Sequence, residues 1–405
     1  MTAPLKIAII VGEESGDQLG AALIDALIAR CGGDALSFSG TGGERMAVRG
    51  FQSLFALDDI AVMGITAVLG RLPLILKRIR ETAEAVLAAD PDVLVLIDSP
   101  DFTHRVARTV RKARPDIPVV DYVSPSVWAW RPGRARAMRA YVDRVLAILP
   151  FEPEAHRRLG GPMCDYVGHP LVEREDLWKE AGERVPLADA EAPVLLVLPG
   201  SRRGEIERMM PVFGETLARI AAGASRKPQV LLPAVPHLRG EIEARMADWS
   251  MTPEIVSGEA EKFAAFRRAH AALATSGTVS LELALAGVPT VIAYRLDAVY
   301  RQLNRLRRVF PKMVQVDTMV LPNLILRQKA IPEFLDLDGT PERLADAMLP
   351  LLSETPERAR QVAAFRRLRD EMTLEGGEAP SARAARIVLD VAGAMLDVAG
   401  AIEKG

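Results

Sequence analysis

Acidic and hydroxyl side chains that could bind a sugar and deprotonate one of its hydroxyl groups cluster in the N-terminal half of the sequence. The segment 12–20, GEESGDQLG, follows an apolar strand-like run directly. Its glycines permit a tight turn, and the N–H groups that open a helix there could bind a ligand. Because two adjacent acids would repel a pyrophosphate, a sugar acceptor suits Glu13 and Ser15 better. The alternative is an ordinary strand-to-helix turn with Ser15 as the N-cap.

A second acidic candidate is Asp98, which follows the strongly apolar run 93–97. In open α/β sheets, ligands bind at the carboxyl ends of the strands. A carboxylate at that place can act as the general base on a hydroxyl nucleophile. Asp101 is readily explained as a helix cap, whereas Asp98 is not, so Asp98 is the candidate base.

An aromatic loop follows the strand-like run 119–123 and contains two of the four tryptophans of the chain. Aromatic faces and hydroxyl groups suit contacts with a sugar or an acyl chain. The alternative is that the aromatic loop only fills space between the two domains. The residues expected to form an acceptor surface here are Ser124, Ser126, Trp128, Trp130 and Arg131.

Two loops of the C-terminal half could bind a nucleotide sugar. In the first, 198–205, Arg202 or Arg203 could clamp a diphosphate with two parallel hydrogen bonds, unless both are solvated arginines at a loop tip. The second, 274–282, reads ATSGTVSLE.

In this second loop the N–H groups at Ser276, Gly277 and Thr278 could hold phosphate oxygens. Glu282, one turn into the helix, could accept hydrogen bonds from both ribose hydroxyls. The alternative is a capping box whose acid only complements the helix dipole.

The histidines and the Asp336–Asp338 pair carry no spacing typical of a metal site, and the acidic pair precedes Gly339 as in a turn or cap. We therefore expect chemistry without a metal or any other cofactor. The net charge of −2 gives no reason to expect a nucleic-acid partner. Two cysteines form no disulfide framework, and the N-terminus lacks a secretory signal pattern, so we expect a cytoplasmic protein.

The element pattern predicts an α/β fold of two domains, since 405 residues exceed one typical core and short apolar runs alternate with helical patterns. The first domain is expected over 1–172 and the second over 190–355, with a charged linker between them. Helices over about 360–402 are expected to cross back to the first domain.

One apolar stretch could lie on a bilayer. Residues 60–79 are interrupted by glycine, proline and cations, so they fail as a spanning helix. Apolar side chains beside cations suit an anionic membrane surface, and a basic helix packed on its own domain is the alternative. The lipid-facing residues expected here are Met63, Leu69, Leu72 and Leu76.

Seven motifs in order along the chain resemble those of the lipid-A-disaccharide synthase family, over nearly the whole sequence. They are 12–17, 63–65, 98–102, 122–131, 198–202, 276–278 with Glu282, and 321–323. The resemblance implies a GT-B fold, with two Rossmann-like parallel-sheet domains that face a central cleft. The first domain would bind the acceptor and the second the UDP-sugar.

The resemblance also implies the reaction. UDP-2,3-diacylglucosamine and 2,3-diacylglucosamine 1-phosphate (lipid X) would give the β-1,6-linked disaccharide phosphate and UDP, with inversion. Glu13, Ser15 and Asp98 would serve the acceptor and catalysis, and Arg202, Glu282 and Asn323 the donor.

The same resemblance implies peripheral association with the cytoplasmic face of the inner membrane and leaves a homodimer open. A rival enzyme class is a UDP-N-acetylglucosamine 2-epimerase or a UDP-sugar hydrolase of similar architecture, which would need no lipid. The apolar and cationic stretch at residues 62–80 favours the lipid substrate.

Overall fold

The computed structural model describes residues 3–60, 65–178, 184–296 and 318–393, apart from the side chains of 65–69, 175 and 178. The chain divides into two units. The first comprises Met1–Pro170 and Leu374–Gly405, and the second comprises Leu171–Thr373. In the described part of the chain, each unit contains one six-stranded sheet whose strands are all parallel. The predicted pair of Rossmann-like domains is therefore confirmed.

The sheet of the first unit has the order β2-β1-β3-β4-β5-β6. Its central strands are covered by helices on both faces, which explains why they read as continuous apolar runs and not as alternating patterns. The strands are β1 (Leu5–Val11), β2 (Leu36–Thr41), β3 (Val93–Ile97), β4 (Val119–Tyr122), β5 (Arg144–Ala147) and β6 (Met163–Tyr166).

The helices of the first unit connect these strands, except for the last, which comes from the C-terminus. They are α1 (Glu14–Cys31), α2 (Glu44–Ala47), α3 (Ile65–Ala89), α4 (Pro100–Ala113), α5 (Gly133–Met138), α6 (Glu152–Leu159) and α15 (Pro380–Val391). α15 packs on α1, and its Ala384 and Val388 are buried in the same apolar cluster as Leu23. The C-terminal helix thus completes one face of the first sheet.

The sheet of the second unit has the order β12-β11-β10-β7-β8-β9. Its strands are β7 (Val194–Leu198), β8 (Gln229–Ala234), β9 (Glu254–Ser257), β10 (Ala271–Thr275), β11 (Thr290–Tyr294) and β12 (Glu333–Leu335). Its helices are α7 (Glu175–Trp178), α8 (Arg203–Gly223), α9 (Arg239–Arg245), α10 (Glu259–Arg268), α11 (Val279–Leu285), α12 (Leu321–Leu326), α13 (Pro341–Met348) and α14 (Pro356–Met372).

α14 belongs to a different unit from the one predicted. The sequence placed residues from about 360 in the first domain, whereas α14 lies in the second unit and only α15 lies in the first. Polar side chains bind α14 to the second sheet: Gln361 Nε2 donates to the carbonyl of Thr290 at 3.1 Å, and Arg358 donates to that of His270 at 2.7 Å. The chain therefore returns from the second unit to the first after Thr373.

Candidate functional site

A strained turn at the end of β3 holds Asp98. Asp98 and Ser99 have φ angles of 57° and 43°, in the left-handed region that non-glycine residues rarely adopt. The N–H of Asp98 donates to the carbonyl of Tyr122 on β4 at 3.2 Å, and the N–H of Ser99 donates to Asp98 Oδ1 at 2.8 Å. The carboxylate is thus fixed at the carboxyl edge of the sheet and remains only half-buried.

Two hydrogen bonds join this turn to the segment where β1 ends and α1 begins. Ser15 Oγ donates to Asp98 Oδ2 at 2.8 Å, and Ser99 Oγ donates to Glu13 Oε1 at 2.9 Å. β1 and β3 are neighbours in the sheet, so their carboxyl ends meet. A side chain at Gly12 would place its Cβ 2.3 Å from the Cβ of Ser99, which explains the glycine. The structure therefore brings Glu13, Ser15 and Asp98 together, as the sequence predicts.

Asp17, in the same motif, has a structural role. It is fully buried, and its carboxylate accepts hydrogen bonds from the N–H groups of Gly43 (2.7 Å), Arg45 (2.8 Å) and Met46 (3.2 Å). These are the free N–H groups at the start of α2, so Asp17 caps that helix. Within the segment 12–20, Asp17 thus caps a helix, whereas Glu13 is bound to the turn that holds Asp98.

The aromatic loop after β4 is partly a packing element. Ser124 is buried, with its Oγ 2.8 Å from His156 Nε2. The indole N–H of Trp128 donates to Glu152 Oε1 at 3.0 Å, and its ring packs edge-on against Phe151. Ser124 and Trp128, both predicted for the acceptor surface, are thus each hydrogen-bonded to a residue of α6.

The other three residues predicted for the acceptor surface reach the outside of the loop. Ser126, Trp130 and Arg131 are exposed. The guanidinium carbon of Arg131 lies 4.1 Å from the ring centroid of Trp130, in a cation–π contact. This pair offers an aromatic face and a cation side by side.

Glu152 and His156 were missed by the sequence analysis. Burial raises the pKa of Glu152 to about 8 and lowers the pKa of His156. Glu152 also accepts from the N–H of Leu149 at 3.0 Å. Both residues are therefore buried polar groups of α6 that hold the aromatic loop in place. Neither lies in a sequence motif, so no signal in the sequence pointed to them.

α3 carries exposed apolar side chains. Leu72 and Leu76, one turn apart, are 37% and 47% exposed, and Lys77 and Arg80 beside them are exposed. Arg78 is bound by Asp59 at 2.5 Å. Met63 and the side chain of Leu69 lie outside the described residues. Among the described helices, none combines the length and apolar character needed to cross a bilayer.

The loop after β7 leaves Arg202 at the surface. Its guanidinium lies 3.1 Å from Glu205 Oε1, yet its side chain stays 61% exposed. Gly200 has a φ of 115°, and a Cβ there would lie 2.5 Å from Glu205 Oε2, which also accepts from the N–H of Ser201 at 3.1 Å. Glu205 thus shapes the loop, and the Arg202 side chain, although paired with Glu205, remains mostly exposed.

The loop after β10 presents backbone donors. Ser276, Gly277 and Thr278 form the turn between β10 and α11, and the last two are exposed. Within the described chain, the N–H groups of Gly277 and Thr278 have no hydrogen-bond partner. Glu282 lies on the first turn of α11 and forms a 2.5 Å ion pair with Lys262 of α10. The loop therefore combines two open donors with an oriented carboxylate.

Comparison with known proteins identifies the family. A family model described as Lipid-A-disaccharide synthetase matches residues 7–387. The chain belongs to this family. Proteins named lipid-A-disaccharide synthase from Rhodopseudomonas palustris (strain HaA2) and Bradyrhizobium diazoefficiens are each 53% identical over 386 and 384 residues, which is 95% of this chain and 96% of each relative. The resemblance found in the sequence is thus confirmed, and the chain is a glycosyltransferase of lipid A biosynthesis.

Solved structures agree on the fold of this lipid-A-disaccharide synthetase family member. Acinetobacter baumannii MurG aligns with a TM-score of 0.59 at 14% identity, covering 96% of this chain and 100% of that chain. A UDP-GlcNAc 2-epimerase from Neisseria meningitidis aligns with a TM-score of 0.55 at 14% identity, covering 96% and 99%. Such low identities show the GT-B fold alone and leave function to the family match.

The side chain of Asn323, to which the resemblance to the lipid-A-disaccharide synthetase family assigns a donor role, is occupied by contacts within the chain. It is 3% exposed, its Nδ2 donates to the carbonyl of Ile331 at 2.9 Å, and its Oδ1 accepts from the N–H of Ile331 at 2.8 Å. Because both halves of the amide are occupied by one backbone residue, the geometry favours a structural role before β12 over a contact with the donor.

In the described part of this family member, no three histidine, cysteine or carboxylate side chains are grouped so that they could hold a metal ion.

Proposed function

We propose that this chain transfers the sugar of UDP-2,3-diacylglucosamine to the 6-hydroxyl of 2,3-diacylglucosamine 1-phosphate (lipid X), giving the β-1,6-linked disaccharide 1-phosphate and UDP. The observation that carries the proposal is the Asp98 carboxylate, held open to solvent at the sheet edge by Ser15. A half-buried carboxylate with lone pairs to spare can accept the proton of a sugar hydroxyl.

The reaction is a single displacement with inversion. Asp98 accepts the proton of the acceptor's 6-hydroxyl while that oxygen forms its bond to the anomeric carbon of the donor. The bond from that carbon to the diphosphate breaks, and its electron pair leaves with UDP. Positive charge develops on the donor ring, as in glycoside hydrolysis. Glu13 and Ser15 bind the acceptor and keep the base oriented.

The departing diphosphate needs positive partners. The exposed guanidinium of Arg202 and the N–H groups of Gly277 and Thr278 supply them, with Ser276 as the first residue of the same turn. Donors that are fixed before the reaction stabilise developing negative charge at little reorganisation cost. Glu282 accepts hydrogen bonds from the ribose hydroxyls.

The acyl chains of both substrates require an apolar surface near the acceptor domain. The exposed Leu72 and Leu76, with Lys77 and Arg80, suit the cytoplasmic face of the inner membrane, where apolar contact and attraction to anionic headgroups act together. Trp130 and Arg131 suit the acceptor's phosphate end or its acyl chains.

The test is to incubate the purified chain with both acylated glucosamine substrates and EDTA, and to analyse the products by mass spectrometry. We expect the disaccharide phosphate and UDP in equal amounts. Conversion of the UDP-sugar with no acceptor present, by hydrolysis or epimerisation, would contradict the proposal and favour the rival enzyme class.

A further inference from the structure

Lys262 belongs to none of the sequence motifs, yet it contacts Glu282 of the segment 274–282. It lies on α10, and its ammonium is 2.5 Å from Glu282 Oε2 on α11. The two side chains are 28% and 14% exposed, so the pair lies in a partly desolvated setting. Charge pairs of this kind are less weakened by solvent than those at an open surface.

Aromatic rings fix the position of the ammonium as well. Lys262 Nζ lies 5.1 Å from the ring centroid of Phe263 and 5.4 Å from that of Phe266, both within the range of a cation–π contact. Phe263 and Phe266 are buried and pack edge-to-face against each other. A long, flexible lysine side chain is thereby held in one place, and it holds the carboxylate of Glu282 in turn.

The ion pair occupies only half of the carboxylate. Within the residues that the structure describes, Glu282 Oε2 is buried against Lys262 Nζ and forms no hydrogen bond with any other group, and Oε1 has neither an ion pair nor a hydrogen bond. An oxygen of a carboxylate can accept two hydrogen bonds, which is the number that a ribose diol donates. Lys262 therefore leaves one oriented oxygen available to the nucleotide.

We propose that Lys262 is a positioning residue that sets the preference for a ribonucleotide donor by orienting Glu282 toward the ribose hydroxyls. This inference rests on the ribose role given to Glu282 above. Without Lys262, the carboxylate can rotate toward solvent, and the nucleotide must then order it on binding.

The experiment compares the dissociation constants of UDP and 2′,3′-dideoxy-UDP by calorimetry. In the unaltered chain we expect UDP to bind roughly 10- to 100-fold more tightly, as for hydrogen bonds to a charged acceptor. Lys262→Met should reduce this ratio to about threefold or less, whereas Lys262→Arg should keep most of it. Arg268→Met, on an exposed residue of the same helix, is the control and should keep the full ratio.

Steady-state kinetics add a second readout. Lys262→Met should raise KM for the UDP-sugar and leave kcat at saturating donor nearly unchanged, since Lys262 touches no reacting atom. If Lys262 had only a structural role, Lys262→Met would weaken the binding of UDP and of 2′,3′-dideoxy-UDP by the same factor. The ratio of the two dissociation constants would then stay unchanged, and that result would overturn the inference.

Glu282→Ala separates the two levels of the proposal. If this variant loses the ratio while Lys262→Met keeps it, the role of Lys262 is wrong and the ribose role of Glu282 stands. If Glu282→Ala keeps the ratio, or if the unaltered chain does not bind UDP, the donor assignment itself fails.

Discussion

The hydroxyl of Ser15 donates a 2.8 Å hydrogen bond to Oδ2 of Asp98, a residue 83 positions away in the sequence. The contact exists because β1 and β3 are adjacent and parallel, so the loops that follow them share one edge of the sheet. It orients the carboxylate while the second oxygen is bound by the N–H of Ser99. The proposed base is therefore positioned before any substrate arrives.

Ser15→Ala tests this orientation. Loss of one hydrogen bond to a charged acceptor should lower kcat by about tenfold, far less than loss of the carboxylate itself. In an Asp98→Asn background the same change should have little further effect, because the two residues act as one unit. Ser37→Ala, on the exposed edge strand β2, is the control for a lost hydroxyl. Equal, additive effects in both backgrounds would contradict the coupling.

Glu152 makes the stability of the first unit depend on pH. Burial raises its pKa from an ordinary 4.5 to about 8. Between these values the folded chain keeps a proton that the unfolded chain releases, so the free energy of unfolding falls as pH rises, by up to about 1.4 kcal/mol per unit. Glu152→Gln should remove this slope.

The slope is best measured between about pH 7 and 8. Burial lowers the pKa of His169 to about 4 and also lowers the pKa of His156, so their opposite contribution, which is lost as pH falls through the ordinary histidine pKa of 6.5, acts mainly below that window. Urea unfolding followed by the fluorescence of Trp128 and Trp130, with Trp178 and Trp249 replaced by Phe, reports on the first unit. An unchanged slope in the Gln variant would be evidence for an ionised Glu152 in the folded chain.

The apolar side chains of α3 should carry membrane binding. Replacing Leu72 and Leu76 by Gln should weaken binding to vesicles with anionic phospholipids by about tenfold or more, since each leucine loses apolar burial. The matched control is the Leu335→Gln and Leu337→Gln pair, which are exposed leucines of the second unit. Cosedimentation that responds equally to both pairs would argue against a specific surface on α3.

Asn323→Ala distinguishes a structural amide from a ligand contact. The change leaves the N–H and carbonyl of Ile331 buried without their partners and should destabilise the second unit by about 2–4 kcal/mol. The affinity of the folded variant for UDP should change by less than about threefold. A variant of normal stability that no longer binds UDP would restore the donor role.

The interior strands of both sheets could be predicted from the sequence, and most edge strands could not. β1, β3, β4 and β7 are buried on both faces and read as apolar runs. β6, β9 and β12 are short edge strands with polar and partly exposed positions, so they lack the apolar pattern of an interior strand.

The candidate site divides in the same way. Glu13 and Asp98 were predictable because each follows an apolar strand directly, at the edge where ligands bind. Lys262 and Glu152 were not, because each acts through a partner on another element. A motif reveals residues that are near in sequence, whereas side chains brought together by packing require the fold.

The most direct test of the central claim is Asp98→Asn. Removal of the general base should lower disaccharide formation at saturating substrates by about a hundredfold to ten-thousandfold, while UDP binding by calorimetry stays unchanged. Asp92→Asn, at the opposite end of β3, should keep full activity. Near-normal turnover by Asp98→Asn would show that the carboxylate is not the base and would contradict the account.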